Sequence, residues 1–161
     1  MRYEKPSRFG LSMSGETLFE RIIAGEIPCH KVSEGNSWFA FLDIFPRREG
    51  HTLVVPKRGV KHISELPDDE VSELFVGLKS VQSILSNYFQ TGDFTICVHD
   101  GDKAGQEVPH VHIHLIPRTL GDGGLTLMSM WPENRSIGGN ADHESLNILA
   151  SKLRGDFNET P

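Results

Sequence analysis

The feature that most constrains this chain is a run of three histidines that alternate with apolar residues between Pro109 and Arg118, reading PHVHIHLIPR. Strict alternation is the period of a β-strand, so the pattern predicts that His110, His112 and His114 share one face of a strand. The intervening valine, isoleucine and leucine would share the other face and belong to the core. The histidine face is therefore predicted to be a site.

Three interpretations of the histidine face are open. A strand rises ~3.3 Å per residue, which places the outer two histidines roughly 13 Å apart and favours an extended ligand, such as a phosphate chain. The side chains could instead be polar positions on an exposed strand face, or two of them could bind zinc together with a distant residue. In the third interpretation the middle imidazole is a nucleophile toward phosphorus, and its neighbours bind the phosphate oxygens.

Composition and charge narrow the classes of protein to which the chain can belong. Its 161 residues, 37% of them hydrophobic, suffice for one domain with a substantial core and are too few for two. The formal net charge of −6 argues against a general binder of nucleic acid or of anionic membranes, which would need clustered lysine and arginine. Any recognition of phosphate is therefore expected to be local.

Cysteine usage and hydropathy favour a soluble cytoplasmic protein. Cys29 and Cys97 are far apart in the chain, which indicates neither a disulfide framework nor a cysteine-rich zinc site and fits a reducing compartment. No stretch approaches the ~20 consecutive apolar residues of a membrane span, and the polar N-terminus lacks the apolar core of a secretory signal. We therefore expect no membrane and no nucleic acid among its partners.

Periodicity along the chain predicts an α+β domain of about five antiparallel strands, with a short N-terminal helix, one long helix and an irregular C-terminal extension. Residues 30–34 and 38–42 are separated by Gly35-Asn36, which indicates a hairpin, and residues 51–56 return as a third strand. Proline and acids at residues 67–70 suit a helix start, and apolar side chains then keep helical spacing for about five turns to Tyr88. The remaining predictions are a helix from Glu16 to near Gly25, strands at 94–98 and 110–117, and a last helix at 142–154 with Leu146, Leu149 and Leu153 as its inner stripe.

The residues before and within the histidine run resemble a known signature. Gly105-Gln106-Glu107-Val108-Pro109 followed by His-x-His-x-His is similar to the signature of the histidine triad superfamily of nucleotide hydrolases and transferases. The blocks 17–28, 40–44 and 51–57 resemble its nucleotide-binding, phosphoramidase branch. The blocks 100–106 and 110–118 equally resemble the fragile histidine triad branch, which cleaves dinucleoside polyphosphates.

The resemblance implies a domain organisation. Residues 15–118 would form a nucleotide-binding domain of the histidine triad type, preceded by a mobile arm at residues 1–14. Residues 119–161 would form a C-terminal extension packed on the domain. Relatives are commonly homodimers with the long helix and a sheet edge at the interface, so a homodimer is expected here.

The resemblance also implies catalytic roles. His112 would attack the α-phosphorus of a nucleoside phosphoramidate or polyphosphate and form a nucleotidyl-histidine that water then hydrolyses. His114 and His51 would contact phosphate oxygens or assist the leaving group. His110 would fix the orientation of His112 through the other ring nitrogen, because a hydrogen bond at one nitrogen decides which tautomer attacks.

Further positions match the nucleotide-binding residues of the family. Asp43 matches the position that accepts from the ribose hydroxyls, although a turn residue would also suit it. The loop of Gly105, Gln106, Glu107 and Val108 would bring backbone N–H groups to a phosphate. The base pocket would be lined by Leu18, Phe19, Ile22, Phe41 and Ile44, at least two of which are equally expected in the core.

Two residues depart from the family pattern. Similar members have Asn or Gln at the position of His99, and Ser or Thr at the position of Glu107. His99 can still donate to a phosphate or ribose. An ionised Glu107 cannot donate and repels phosphate, so it either turns away or faces a cationic leaving group such as a lysyl amine. No paired cysteine ligands for structural zinc are present, so we predict no metal, despite His62, and no cofactor.

The sequence therefore predicts a nucleotide hydrolase that acts on nucleoside 5′-phosphoramidates through His112. Dinucleoside polyphosphates are the alternative substrate class. A non-catalytic AMP-binding or sensor protein and a metalloprotein are the alternatives outside enzymes of this type.

Overall fold

The structure is a computed structural model of the chain, and it describes residues 15–125 and 142–154. Its strands are β1 (Lys31–Glu34), β2 (Trp38–Leu42), β3 (Thr52–Pro56), β4 (Phe94–Val98) and β5 (Ile113–Pro117). Its helices are α1 (Leu18–Ile23), α2 (Asp68–Phe89) and α3 (His143–Arg154), and short 3₁₀ turns lie at Ile63–Glu65 and Asp102–Ala104. The predicted mobile arm lies outside the described residues.

The five strands form one antiparallel sheet in the order β1-β2-β3-β5-β4. The first three strands form the predicted meander, and β5 lies between β3 and β4, where Leu115 pairs with Thr52 on one side and Ile96 on the other. The predicted α+β class with a five-stranded antiparallel sheet is confirmed. Strand β5, which includes His114, is therefore an interior strand, and β1 and β4 lie at the edges.

Helix α2 covers one face of the sheet. Pro67 precedes its first turn, where Asp68, Asp69 and Glu70 suit the free N–H groups and the helix dipole. The side chains at helical spacing that are buried are Leu74, Leu78, Val81 and Leu85, and they pack with residues of β2, β3 and β5. Phe75 and Tyr88 keep the same predicted spacing but are 51% and 75% exposed, because they lie at the margin of the apolar stripe.

One glycine allows α2 to approach the sheet closely. A Cβ on Gly77 would lie 2.4 Å from Cδ2 of Trp38, so no other residue fits at this position without displacing the indole. Trp38 is buried and belongs to the same apolar cluster as Leu74 and Leu78. The core on this face is thus a tightly packed cluster of apolar side chains.

Helix α1 packs against the opposite face of the sheet. Thr17 caps it, because its hydroxyl accepts from the backbone N–H of Glu20 while the Glu20 carboxylate accepts from the backbone N–H of Thr17. Phe19 and Ile22 of α1 are buried in a second apolar cluster with side chains of β2 and β3 and with Val108. This face also carries the histidines.

The chain divides into two compact units, residues 1–122 and 123–161. In the second unit the predicted last helix is present as α3. The prediction that Leu146, Leu149 and Leu153 form an inner stripe is wrong, because each is more than half exposed. Among the described residues, no helix is both long enough and apolar enough to span a membrane.

Candidate functional site

The three histidines of the run do not lie on one strand. Strand β5 begins at Ile113, so His110 and His112 precede it and only His114 is part of the sheet. The backbone of the preceding segment bends, since the N–H of His110 donates to the carbonyl of Val108 at 2.7 Å. The prediction of a single strand face with three histidines is therefore wrong, and the reason is a tight turn that the alternating pattern does not show.

The apolar half of the pattern is as expected. Val111, Ile113 and Leu115 are at most 1% exposed and pack in the cluster beneath α2. His110 and His112 are also buried, at 0% and 5% exposure. The histidines are therefore not polar positions on an exposed strand face, which removes the first of the three interpretations.

Three imidazole rings gather around that of His114. The ring centroids of His112, His51 and His99 lie 5.0, 5.2 and 5.5 Å from that of His114. His51 comes from the start of β3 and His99 from the end of β4, which are the two strands that flank β5. The structure thus brings together four of the histidines predicted from the sequence, in a compact cluster and not in an extended row.

The His112 ring is held in one tautomer. Its Nδ1 lies 2.7 Å from the main-chain carbonyl oxygen of His110. Because a carbonyl oxygen only accepts, Nδ1 carries the proton, and the neutral ring then has a free lone pair on Nε2. The acceptor that orients His112 belongs to His110, the residue expected in this role, and it is the main-chain carbonyl of that residue.

The His110 ring does not contact His112 through this bond and instead links two segments of the fold. Its Nε2 donates to the carbonyl oxygen of Pro56 at 2.8 Å, so its Nδ1 accepts from the hydroxyl of Thr17 at 2.7 Å. The Thr17 hydroxyl in turn accepts from the N–H of Glu20. The ring therefore joins the start of α1 to the end of β3 and fixes the carbonyl that orients His112. Sequence reasoning missed Thr17 as part of the site, although the Thr-x-x-Glu capping pattern was present.

A second hydrogen-bond chain fixes His51 and His114. The backbone N–H of Arg47 donates to Nδ1 of His51 at 3.2 Å, so a neutral His51 carries its proton on Nε2. That Nε2 lies 3.0 Å from Nδ1 of His114 and donates to it. A neutral His114 consequently carries its own proton on Nε2, where it can be donated to a ligand.

Burial keeps the histidine cluster uncharged. The cost of removing a cation from water lowers the pKa of His110, His112 and His51 below the usual value. The same cost, together with the positive charge that neighbouring histidines would carry, lowers the pKa of His114 to about 3. At neutral pH these four rings are neutral imidazoles, which are nucleophiles and hydrogen-bond donors but not cations.

The predicted phosphate loop lies beside His99. The Nδ1 of His99 donates to the carbonyl of Ala104 at 2.5 Å, and Gly105 follows with a φ of +93°. A Cβ on Gly105 would lie 3.1 Å from that Nδ1, so both the backbone angle and the close approach require glycine. Because its Nδ1 holds the proton, His99 can donate from Nε2 only as an imidazolium.

The other residues of that loop have distinct environments. Gln106 is buried and its side-chain amide donates to the carbonyl of Lys61 at 2.8 Å, so it anchors the loop. Glu107 is exposed, and its negative charge opposes, as a minor contribution, the fall in the pKa of His112 that burial causes. Val108 belongs to the apolar cluster beneath α1.

The residues predicted for the base pocket divide into two groups. Phe19, Ile22 and Phe41 are core residues, at 4%, 9% and 4% exposure. Phe19 also packs edge-on against both His110 and His112, with ring centroids 5.5 and 5.3 Å away. Leu18 is partly buried and Ile44 is 66% exposed, so these two are the side chains accessible to a ligand.

Asp43 lies next to the histidine cluster. Its Oδ1 accepts from the N–H of Phe45 at 2.8 Å, and its Oδ2 lies 3.7 Å from Nδ1 of His51. Ligand atoms of Asp43, His51 and His114 lie within 4.8 Å of one another, so this is the group of described residues that could hold a metal ion. A metal there would compete for His51, since both ring nitrogens of His51 are already engaged in the two bonds described above.

Comparison with known proteins gives consistent matches. The family model described as HIT domain matches residues 24–120. The chain is 47% identical over 106 residues to an uncharacterized HIT-like protein of Methanocaldococcus jannaschii, across 66% of this chain and 81% of that protein. It is 33% identical over 144 residues to the adenosine 5′-monophosphoramidase of Candida albicans, across 87% of this chain and 90% of that enzyme.

Solved structures agree with the fold described above. The crystal structure of a HIT-family protein from Bacillus subtilis has a TM-score of 0.72 and 31% sequence identity. The match covers 89% of this chain and 98% of the Bacillus chain.

Proposed function

This chain belongs to the HIT domain family, and on that premise we propose that it hydrolyses nucleoside 5′-phosphoramidates of the AMP-amine type through a nucleotidyl-histidine on His112. The family includes nucleotide hydrolases, among them the similar adenosine 5′-monophosphoramidase of Candida albicans. The observation that carries the proposal is the hydrogen bond from Nδ1 of His112 to the carbonyl of His110, which leaves the Nε2 lone pair free. Such a lone pair is what attack on phosphorus requires.

The proposed first step transfers the nucleotidyl group to the ring. Nε2 of His112 forms a bond to the α-phosphorus, the P–N bond of the substrate breaks, and the amine leaves after it takes up a proton from water. The ring then carries a positive charge, and its Nδ1–H bond to the His110 carbonyl becomes charge-assisted. The orienting bond therefore also stabilises the charge that develops in this step.

The second step releases the nucleotide. Water attacks the phosphorus, the N–P bond breaks, and the electron pair returns to Nε2, which regenerates the neutral His112. The proton of the attacking water passes to solvent, so the sum of the two steps is phosphoramidate plus water giving AMP plus amine. His114 assists both steps by donating Nε2–H to a phosphate oxygen, as the chain from Arg47 through His51 to His114 allows.

The remaining roles concern binding. Asp43 accepts from the ribose hydroxyls, for which its Oδ2 is suited because Oδ1 already accepts from the Phe45 N–H. Leu18 and Ile44 contact the base, and the backbone of Gly105 approaches the phosphate. The negative charge of Glu107 near His112 favours a cationic amine as leaving group.

The proposal includes a cytoplasmic homodimer that needs no metal or cofactor. Helix α2 exposes Phe75, Val76, Ile84 and Tyr88, and the edge strand β4 exposes Ile96, so apolar surface and an unpaired strand edge are available to a second copy. Cys29 and Cys97 are free thiols, as suits a reducing compartment. Sedimentation of the intact chain at micromolar concentration measures the state of assembly directly.

Turnover of His112→Ala tests the chemistry. Adenosine 5′-phosphoramidate is supplied to the wild type, to His112→Ala and to His62→Ala, a control that removes a histidine outside the cluster. We expect kcat of His112→Ala to fall by about three to five orders of magnitude, since water attacking directly lacks a positioned nucleophile. His62→Ala should keep the wild-type rate. If the wild type binds AMP but does not turn the substrate over, the proposed hydrolase function is contradicted and an AMP-binding protein is indicated instead.

Dinucleoside polyphosphates are the second candidate substrate class. The same attack on an α-phosphorus would release a nucleotide in place of an amine. The observation that favours this class is Arg47, whose backbone N–H donates to His51 and whose side chain forms no ion pair with a carboxylate of the described residues. An AMP-amine substrate with a single phosphate does not require such an arginine. Parallel measurement of kcat/KM on adenosine 5′-phosphoramidate and diadenosine triphosphate ranks the two classes.

A further inference from the structure

Nearly every cation of the domain has a carboxylate partner. Between residues 15 and 122, the lysines and arginines form ion pairs with exposed or half-buried acids, as Arg58 does with Glu70 and Lys61 with Asp102. Within that described range, the exceptions are Arg47, Lys79 and Lys103. An arginine that lacks a partner in a chain of net charge −6 has its five N–H donors available to an external anion.

Arg47 is the exception that lies at the candidate site. Its backbone N–H donates to His51 at 3.2 Å, and the His51 ring contacts His114. Its side chain is exposed and follows directly from that backbone contact, and its positive charge adds a minor contribution to the lowered pKa of both His51 and His114. Lys79 lies in the middle of α2, and Lys103 lies in the 3₁₀ turn before Ala104.

The loop that carries Arg47 is anchored at several points. The backbone N–H of Asp43 donates to the carbonyl of His51, and the N–H of His51 donates to the carbonyl of Arg48. The Arg48 side chain is bound to the carboxylate of Asp122, which also accepts from Arg118. The position of the Arg47 backbone relative to His51 is therefore set by the fold, and the neighbouring Arg48 is already bound to Asp122.

We propose that Arg47 binds a second phosphate group of the substrate, beyond the phosphate that His112 attacks. The planar guanidinium matches two oxygens of a phosphate, and such charge-assisted pairs are stronger than neutral hydrogen bonds. Because the neighbouring histidines are neutral, Arg47 supplies the positive charge that a doubly phosphorylated nucleotide needs on this side of the cluster. The inference rests on the proposed function for the position of the first phosphate.

Two sources of a second phosphate fit this position. It can be the next phosphate of a chain, as in a nucleoside diphosphate or a dinucleoside polyphosphate. It can also be a phosphate on the ribose, because Asp43, the proposed ribose ligand, belongs to the same loop. ADP represents the first source and adenosine 3′,5′-bisphosphate the second, with AMP as the common reference that lacks either group.

Calorimetric titration tests the inference without relying on turnover. The wild type, Arg47→Gln and Lys79→Gln are each titrated with AMP, ADP and adenosine 3′,5′-bisphosphate. We expect the wild type to bind ADP or the bisphosphate about tenfold more tightly than AMP, as one charge-assisted pair allows. In Arg47→Gln that ratio should collapse to about one, and in Lys79→Gln, which removes the same charge from a distant helix, it should stay at the wild-type value. Arg47→Lys should retain part of the preference for the doubly phosphorylated nucleotide, because lysine keeps the positive charge.

The outcomes are separable. A ratio that is the same in the wild type and in Arg47→Gln overturns the inference, whether or not overall affinity changes, because Arg47 would then act only through the histidines or not at all. If Arg47→Gln abolishes the affinity ratio for ADP alone, the second phosphate belongs to the phosphate chain. If it abolishes the ratio for the bisphosphate alone, the second phosphate is the one on the ribose. Turnover of adenosine 5′-phosphoramidate by the same proteins reports on the proposed function separately, since it depends on His112 and not on the ratio.

Discussion

The two faces of the sheet differ in how their residues are fixed. On the α2 face, Leu74, Leu78 and Val81 are positioned by packing alone, in a layer of apolar side chains. On the opposite face, His110 and His112 are equally buried, but each ring is positioned by a hydrogen bond to a main-chain carbonyl. Both faces are close-packed, yet only the second holds groups whose protonation state matters.

The difference shows why burial has separate consequences on the two faces. For a leucine, removal from water is itself the stabilising contribution, worth ~2 kcal/mol per side chain. For a histidine, removal from water lowers the pKa and must be offset by hydrogen bonds to every ring nitrogen that is buried. The apolar face supplies stability to the domain, and the histidine face uses part of that stability to hold neutral imidazoles in defined tautomers.

The largest expected effect on stability is on the α2 face. Leu78→Ala should lower the free energy of unfolding by about 2–5 kcal/mol, because the cavity beneath α2 is closed on all sides. Leu120→Ala, the same change at an exposed leucine, should alter it by less than about 0.5 kcal/mol. Urea unfolding monitored by Trp38 fluorescence measures both. A Leu78→Ala protein as stable as Leu120→Ala would contradict the assignment of this face as the core.

The pH dependence of stability should come from the histidine face. The lowered pKa values of His110, His112, His51 and His114 mean that the unfolded chain binds protons below about pH 6.5 that the folded chain does not. The free energy of unfolding therefore falls as the pH drops, by about 1.4 kcal/mol per pH unit for each histidine that stays neutral. Urea midpoints measured between about pH 7 and pH 5 give this slope.

Replacing one buried histidine sharpens that test. His110→Asn should reduce the slope of stability against pH by the share of one group, because the lowered pKa of His110 no longer contributes. Stability that is constant from about pH 7 to pH 5 in the wild type would mean that the rings are protonated in the folded state.

How far the sequence predicts the molecule also differs between the faces. The strands at 38–42 and 94–98 and the α2 leucines were predicted closely, because their periodicity follows directly from packing. The alternation of His110, His112 and His114 predicted a strand where there is a turn, because the same apolar spacing buries Val111 in either conformation. Periodicity reports which side of the chain is apolar, and not whether the backbone is extended.

The hydrogen bonds that define the site could not be predicted from the pattern of side chains in the sequence. His110, His112 and His99 each donate to a backbone carbonyl, that of Pro56, His110 and Ala104 respectively. His51 accepts from the backbone N–H of Arg47. Every residue has these groups, so their position depends on the fold and leaves no mark in the sequence. The family resemblance assigned to His110 the role of orienting His112, but it did not say which group of His110 accepts the hydrogen bond.

A smaller effect is expected at Thr17, which both caps α1 and bonds to the His110 ring. Thr17→Val removes the hydroxyl that caps α1 and donates to His110, which should cost about 1–3 kcal/mol of stability. It should also lower kcat by about ten- to a hundredfold, because the His110 carbonyl is no longer held in place. Thr17→Ser keeps the hydroxyl and should restore kcat. Equal kcat in the Val and Ser variants would show that the His110 ring has no positioning role.

The smallest expected effect is that of chelation. His51 uses both ring nitrogens in the bonds to Arg47 and His114, so the cluster with Asp43 is complete without a metal ion. Dialysis against a chelator should leave the turnover of adenosine 5′-phosphoramidate unchanged, and added zinc should inhibit by competing for His51 and His114. Loss of turnover on chelation with recovery on zinc addition would make the Asp43 cluster a catalytic metal site.

The central claim is that Nε2 of His112 is the atom that attacks phosphorus. The direct measurement is NMR of the covalent intermediate formed on ¹⁵N-histidine-labelled protein, trapped by rapid quenching at high pH, where the N–P bond is preserved. We expect a one-bond coupling between ³¹P and the Nε2 nitrogen of His112, and no such coupling to Nδ1. Phosphorus bonded to Nδ1 of His112, to another histidine or to no nitrogen would contradict the account.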